Sequence, residues 1–415
     1  MTQEAETGAF RSFRVPNYRR WFVGSVLSNT GTWMQRTAQA WLVFDELTDQ
    51  DARAMGLILA LQFLPQLLLA PWAGLIADRA DSRRLLLFTQ SHMGLLALGL
   101  GGLVLGGAVS LGWVAVFALA LGLTTTFSAP VRQTFVASLV GDRDLSNAIA
   151  LNSTAFNAAR LIGPAAAGVM IAQVGTGWVF LLNSITFIAM ITAILRLDDA
   201  ALHPRARVPK GPGQIRAGFA YIRARRDLQA VLLTVFLMGT FGLNFAIYLA
   251  AMAGTEFGLG SQAFGVMNSV LAAGTLVGAL LSARRARARL QSIYLGAAAF
   301  GLFALLAALA PTPVLFCACL VPLGAASLTL TTTANAYVQT ATEPQFRGRV
   351  MSLYSAILMG GTPIGAPLIG WVIDVLGPRW GLGSAVLAGA AGAVIGVLHR
   401  RRRIRETEAA APDPS

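Results

Sequence analysis

Two arginines stand inside long apolar runs of this sequence, Arg36 in "SNTGTWMQRTAQAWLV" and Arg160 in "NSTAFNAARLIGPAAAG". Neither has an acid at comparable depth, since Asp45 and Glu46 lie two turns or more beyond Arg36. A guanidinium group there needs acceptors, and without a carboxylate these are carbonyls, amides or an anionic ligand. Other polar side chains recur around both arginines at helical spacing. At 100° per residue, Asn29, Thr32, Arg36 and Gln39 fall within an arc of roughly 80°, with Gln35 beside it. Ser153, Asn157, Arg160 and Pro164 fall within roughly 60°. Polar stripes on apolar helices usually face a bundle interior or a water-filled cavity. The unbalanced positive charge suits organic anions or molecules bearing acidic phenols.

Pro164 belongs to the same feature. It has no N–H, so the carbonyl four residues earlier loses its helical donor, and that carbonyl is Arg160's own. Ala159, Gly163 and Ala167 form a row of small residues along which another helix can approach closely. A bend, a charge and a packing groove thus share one stretch.

The elements that must carry these residues are membrane-spanning helices. Of the 415 residues 55% are hydrophobic and only 12% are charged, half the charged share of an ordinary soluble domain. Apolar runs of about 20 residues, long enough to cross a bilayer as helices, are expected at 21–44, 55–76, 85–107, 111–138, 147–173, 178–196, 229–251, 264–283, 292–310, 314–339, 349–374 and 380–398. The runs lack the alternation of a membrane barrel. Twelve spans result, in an all-α membrane protein.

The net charge of +13 is distributed as topology rather than as a nucleic-acid surface. Arginines gather at the N-terminus (Arg11, Arg14, Arg19, Arg20), after span 2, between spans 6 and 7, after span 8, before span 11 and after span 12. The alternate loops hold Arg53, Arg379 and acids such as Asp45, Glu46, Asp49 and Glu256. The positive-inside rule then places both termini in the cytoplasm, which requires an even number of spans. Span 1 is too long for a cleaved leader and lacks a small-residue cleavage site. Cys317 and Cys319 sit on different faces of span 10 and His92, His203 and His399 are scattered, which argues against a disulfide framework or metal site. No nucleophile elbow, P-loop or dinucleotide fingerprint is present. No enzyme, cofactor or nucleic-acid partner is expected.

Shifting the chain by 202 residues places Gly163 on Gly365, Gly168 on Gly370, Gly175 on Gly377 and Trp178 on Trp380. A shift of 204 places Gly74 on Gly278 and Arg83 on Arg287. The expected organisation is a cytoplasmic segment (1–20), a six-helix bundle (21–196), a basic linker (197–228), a second bundle (229–398) and a tail (399–415). Within the linker, "IRAGFAYIRARRDL" has the pattern of a basic helix on a membrane surface. Gly274 with Gly278 in span 8, and Gly361 with Gly365 in span 11, repeat the close-packing spacing.

Two parallel six-span halves are the architecture of major facilitator transporters. The stretch "GLIADRADSRRLLL" resembles that superfamily's signature between helices 2 and 3: Gly74, Asp78, Arg79 and Arg83 match, with Asp81 where many members have glycine and Ser82 where a basic residue is usual. This variant, with "SAPVRQTFVASLV" and the runs quoted above, is similar to the branch of enterobactin-type siderophore exporters and drug-efflux relatives. The resemblance implies twelve helices in two pseudo-symmetric six-helix bundles, working by alternating access. It also implies export of small organic molecules, drug- or siderophore-like, across a bacterial inner membrane by a monomer with protons as coupling ion. Asp78 would lock a cytoplasmic gate against the start of helix 11, with Arg79, Arg83, Arg84, Arg347 and Arg349 around it, while Ser282 replaces the acid in the second half. Gly163, Pro164 and Gly168 fit a helix-5 pattern linked with exporters. Asn244, Asn335, Tyr337 and Gln339 would complete the substrate cavity. For proton coupling the sequence offers only peripheral acids: Asp45, Glu46, Glu256 and Asp374. The alternatives are an importer of the same fold or a non-transporting membrane signalling or assembly protein.

Overall fold

A computed structural model describes residues 10–203, 214–283 and 289–409. The middle of the basic linker (204–213), most of the arginine cluster after span 8 (284–288) and the end of the tail (410–415) lie outside the described residues. Every regular element among the described residues is helical. The first half runs α1 (Pro16–Trp41), α2 (Ala52–Arg79), α3 (Ser82–Leu105), α4 (Leu111–Leu139), α5 (Asp142–Val174) and α6 (Thr176–Leu195). A short α7 (Gln214–Ala224) follows. The second half runs α8 (Arg226–Leu237), α9 (Phe245–Ala251), α10 (Ser261–Ala283), α11 (Leu290–Leu309), α12 (Pro313–Ala341), α13 (Pro344–Gly360), α14 (Thr362–Leu376) and α15 (Pro378–Ala409).

Among the described residues eleven segments are long and apolar enough to cross a membrane. The twelfth is α1, whose 26 residues include the polar stripe, which lowers its hydropathy below that of the others. The chain is a multi-pass membrane protein. Side chains such as Trp72, Leu98, Ile185 and Val314 are exposed on it, the surface expected where lipid is the solvent.

Helix starts follow local chemistry. Asp51 accepts from the N–H groups of Arg53 and Ala54 at the start of α2, and Ser110 and Thr312 cap α4 and α12 in the same way. Asp81, the departure from the signature, is the N-cap of α3 and accepts from the Arg84 N–H at 2.8 Å. Proline occupies the first turn of α1, α12, α13 and α14, where a missing N–H costs nothing. The turns after α5 and α14 are made by Gly175 (φ 87°) and Gly377 (φ 100°), a backbone region open in practice to glycine alone. They are the pair that the 202-residue offset superimposes.

Three spans are irregular in ways not foreseen. Beyond α1 a π-helical turn over Leu42–Leu47 carries the chain past the expected end of span 1 at residue 44, and span 7 contains two more such turns, Met238–Gly242 and Met252–Glu256. Between α8 and α9 the backbone leaves the helix at Leu243 and Asn244. Span 11 is divided at Gly361, between α13 and α14. Wide turns of this kind often accompany functional sites in helices.

The described residues fall into two compact units, one within Met1–Lys210 together with Ala253–Ser269, the other within Gly211–Met252 together with Val270–Ser415. Residues 253–269, from the last turn of span 7 into the start of α10, pack with the first unit. Inside each unit, glycines let backbones touch. In the first, Gly122 of α4 lies against the backbone of Gln62 in α2. In the second, Gly274 and Gly278 of α10 lie against the backbone of Val321 and Ala325 in α12, and Gly324 returns the contact at Leu271. Between lipid-solvated helices such close packing replaces hydrophobic driving force.

Candidate functional site

The first unit builds its site where α5 meets α1. A Cβ on Gly163 would stand 2.7 Å from Trp33 Cβ and 3.2 Å from the Thr30 carbonyl oxygen, so only glycine allows this approach. The contact brings Arg160, nearly one turn earlier on α5, to the Trp33 indole, with its Cζ 5.6 Å from the ring centroid. Arg36, three residues beyond Trp33 on α1, reaches the same ring at 5.0 Å. Phe156 meets this indole edge-on, at 5.8 Å between centroids and 67° between planes. Arg36 and Phe156 are exposed, and Trp33 and Arg160 are half-buried. Arg36 keeps its open face although protein atoms crowd round it, and the two guanidinium charges are near enough to repel. Among the described residues neither arginine has an ion-pair partner or a hydrogen bond to protein.

The remaining polar residues of α1 are occupied differently. Asn29, Gln35 and Gln39 are buried and bond to neighbouring helices. Asn29 Oδ1 accepts from Arg132 Nη2 at 3.0 Å, Gln35 Oε1 accepts from Asn183 Nδ2 of α6, and Gln39 Nε2 donates to Gln62 Oε1 of α2 at 3.2 Å. Arg132 is a third arginine within an apolar span, half-buried on α4, and also donates to Ser25 Oγ at 3.3 Å. Sequence reasoning missed it, although the criterion that picks out Arg36 and Arg160, a charge inside an apolar run, applies to it equally. On α5, Ser153 is exposed and its carbonyl accepts from Asn157 Nδ2 at 2.8 Å.

The helix-5 glycines contact different partners. Gly163 packs on α1, whereas a Cβ on Gly168 would stand 2.7 Å from the Ser261 carbonyl oxygen and 3.1 Å from Gly265 Cα, in the first turns of α10. Ser261 Oγ donates to the Gly168 carbonyl at 3.3 Å, and Gly265 lies against the Pro164 carbonyl. Trp41 of α1 lies against Phe264 at 5.6 Å with the rings tilted by 30°, and Thr255 Oγ1 donates to Gln50 Oε1 at 2.9 Å, so 253–269 is fastened to α1, to α5 and to the turn after span 1. Just past span 1, Glu46 Oε2 accepts from Thr176 Oγ1 at 2.8 Å. Glu46 has solvent on one side and protein on the other. Loss of hydration raises its carboxyl above the usual carboxylate range, the Thr176 bond opposes this, and the neighbouring Asp45 charge adds to it.

The residues of the signature loop occupy the end of α2 and the start of α3. Gly74 and Asp78 lie in the last turns of α2, with the side chain of Asp78 outside the described residues. Arg79 and Arg84 are exposed. Arg83 pairs with Asp199 and donates to the Leu195 carbonyl at 2.8 Å, tying α3 to the end of α6.

In the second unit Arg347 is exposed in the first turn of α13, and Arg349 lies over the Phe346 ring at 5.6 Å. Phe346 in turn stacks on Tyr221 of α7 at 4.6 Å, which holds the linker helix against α13. Asn244 is buried at the break in span 7, where its Nδ2 donates to the Thr240 carbonyl at 2.7 Å. Asn335 and Gln339 bond to each other along α12 at 3.2 Å, and Tyr337 donates to Asp227 at 2.8 Å. Asp227, which the sequence did not single out, is held by Arg225 at 2.7 Å. The structure therefore brings Arg36 and Arg160 to one indole of the first unit, with Asn157 nearly one turn before Arg160 on α5.

The comparisons with known proteins agree with the helical spans and the repeated glycine skeleton: the chain is a transporter of the major facilitator class, and not an enzyme. The chain belongs to the transmembrane secretion effector family, whose family model matches residues 7–415. It is similar to the staphyloferrin A transporter of Staphylococcus aureus, 26% identical over 364 residues, covering 86% of this chain and 89% of that protein. It is similar also to the enterobactin exporter EntS of Shigella boydii serotype 18, 25% identical over 345 residues and 80% of each chain. In fold it resembles a bacterial homolog of the human lysosomal transporter Spinster, at a TM-score of 0.73 and 13% identity, covering 96% of this chain and 99% of that one. A D-xylose–proton symporter gives a TM-score of 0.69 at 12% identity, covering 94% and 97%.

Proposed function

We propose that this protein exports small, acidic organic molecules of the siderophore kind from the bacterial cytoplasm, by alternating access across the inner membrane. It works as a monomer with both termini on the cytoplasmic side. The observation that carries this reading is the accessible Arg36–Arg160 pair, whose charges no described acid balances, in a chain similar over most of its length to transporters of two siderophores. The residues around it that would contact cargo are Ser153, Asn157 and Phe156, while Asn29, Gln35 and Gln39 hold the helices that present them. The contact of Gly163, Pro164 and Gly168 with α1 and α10 supports an outer seal that releases as helix 5 tilts. Arg79, Arg83, Arg84, Arg347 and Arg349 would serve the cytoplasmic gate with Asp78.

Proton antiport is the coupling expected from the resemblance. Among Asp45, Glu46, Glu256 and Asp374, Glu46 suits it best, because its surroundings favour the protonated form and Thr176 offers a partner to the charged one. The decisive measurement is transport in inverted against right-side-out membrane vesicles, with cargo chosen from the acids that accumulate inside a deletion strain. Export predicts uptake into inverted vesicles only. Uptake confined to right-side-out vesicles would make the protein an importer.

A further inference from the structure

We propose that Trp33 and the two arginines around it form a two-point subsite for a planar organic dianion, which makes Trp33 a specificity-determining residue. The proposal rests on the cargo-binding reading above and extends it from net charge to shape and charge number. Two cations share one indole, at 5.0 and 5.6 Å from its centroid, so their Cζ atoms can be no farther apart than the sum of these distances. A guanidinium over an indole is attracted by the ring face, more so when desolvated, which helps hold the two like charges together. It leaves their hydrogen-bonding capacity untouched. Each planar guanidinium has five N–H donors, and among the described residues neither side chain donates to protein.

A monoanion neutralises one cation and leaves the other facing solvent. A dianion that reaches both removes the mutual repulsion and accepts charge-assisted hydrogen bonds at each end, bonds about twice as strong as neutral ones. The ring faces set the shape. Trp33 and Phe156 meet at 67°, with Phe156 45% exposed, so a flat unsaturated body can lie along Phe156 while its acid groups turn to the arginines. Each planar fork matches a carboxylate, so a flat diacid can offer one acid group to each guanidinium. Gly163 fixes the geometry, since any side chain there would push α5 away from Trp33. Arg132 is excluded from the subsite, because its guanidinium is bonded to Ser25 and Asn29.

The test is equilibrium binding to the purified full-length protein in lipid nanodiscs, with phthalate, isophthalate and terephthalate as dianions, benzoate as monoanion and benzamide as neutral isostere. At least one dicarboxylate is expected to bind about tenfold more tightly than benzoate, with benzamide weaker than both. Arg36→Gln and Arg160→Gln should each collapse the dianion-to-benzoate ratio to near one. Arg160→Lys should keep part of it, Trp33→Leu should lose most of it, and Arg132→Gln should leave it unchanged. Melting curves of each variant show that it is folded. The proposal is overturned if no dicarboxylate binds saturably, if benzoate binds as well as the dianions, or if the ratio survives both glutamine substitutions. Failure of the export reading looks different: the ratio persists while vesicles show no outward transport.

Discussion

Span 5 and span 11 are the same element written twice, and they differ where the chemistry lies. Both end in a glycine of positive φ, Gly175 and Gly377, and both press a glycine of the first half of the motif onto another helix of their own unit. Gly163 meets Trp33 of α1, whereas Gly365 meets Thr240 in the wide turn of span 7. Span 5 is one helix of 33 residues with Pro164 inside it, but span 11 is interrupted at Gly361. Arg160 stands on span 5 where Thr362 stands on span 11. Packing is therefore what the two copies share, and the charge is carried by only one of them. A duplicated scaffold can keep its close glycine contacts in both halves while only one half carries the charge.

The largest effect expected from breaking this comparison is on stability. A side chain at Gly365 runs straight into the Thr240 carbonyl, whereas at Gly163 it meets Trp33 Cβ, equally fixed to its backbone but less deeply overlapped. Gly365→Leu should prevent folding, and Gly163→Ala should cost about 1–3 kcal/mol, the usual range for overpacking. Thermal melts in detergent measure both. Gly175→Ala and Gly377→Ala should be equally costly, each about 1–3 kcal/mol from backbone strain. A large inequality between them would show that the two turns are not equivalent in energy.

On function the comparison should be one-sided. Arg160→Gln is expected to lower export of an anionic cargo at least about tenfold, roughly 1.4 kcal/mol of lost interaction. Thr362→Arg, which copies the charge into the second unit, should not restore it. Restoration would mean that the charge matters and its unit does not. The smallest effect concerns pH. Because Glu46 is raised above its unfolded value, its contribution to stability is complete below the ordinary carboxylate range and is lost as pH rises through the raised value. Glu46→Gln should therefore flatten the decline in melting temperature across that interval and leave the acid side unchanged. A wild-type curve already flat there would remove Glu46 as the proton carrier.

Parts of the site were readable one helix at a time. Arg36 and Trp33 are three residues apart on one helix, so their meeting follows from helical geometry. Arg160 at that same indole is a contact between distant parts of the chain, and no periodicity encodes it. The α1 stripe shows the same limit from the other side. Its polar residues share a face, yet Gln35 and Gln39 face partners on α6 and α2 while Arg36 stays open. A helical wheel gives direction around an axis; it does not say which neighbour stands there. The wide turns of spans 1 and 7 escaped for a related reason, since no proline marks them and the same residues would suit an unbroken helix.

The sequence by itself determined that this is a polytopic helical membrane protein built from a repeat, because run length, composition and glycine stereochemistry are local properties. It also marked two arginines that had to be accounted for, because a charge in an apolar run is expensive wherever the run folds. Only the tertiary structure decided that both arginines share Trp33, that Arg132 is tied to Asn29, and that 253–269 packs with the first unit. Those outcomes depend on which helices touch and how closely. That is set by small residues meeting across an interface, and neither side of an interface can specify it alone.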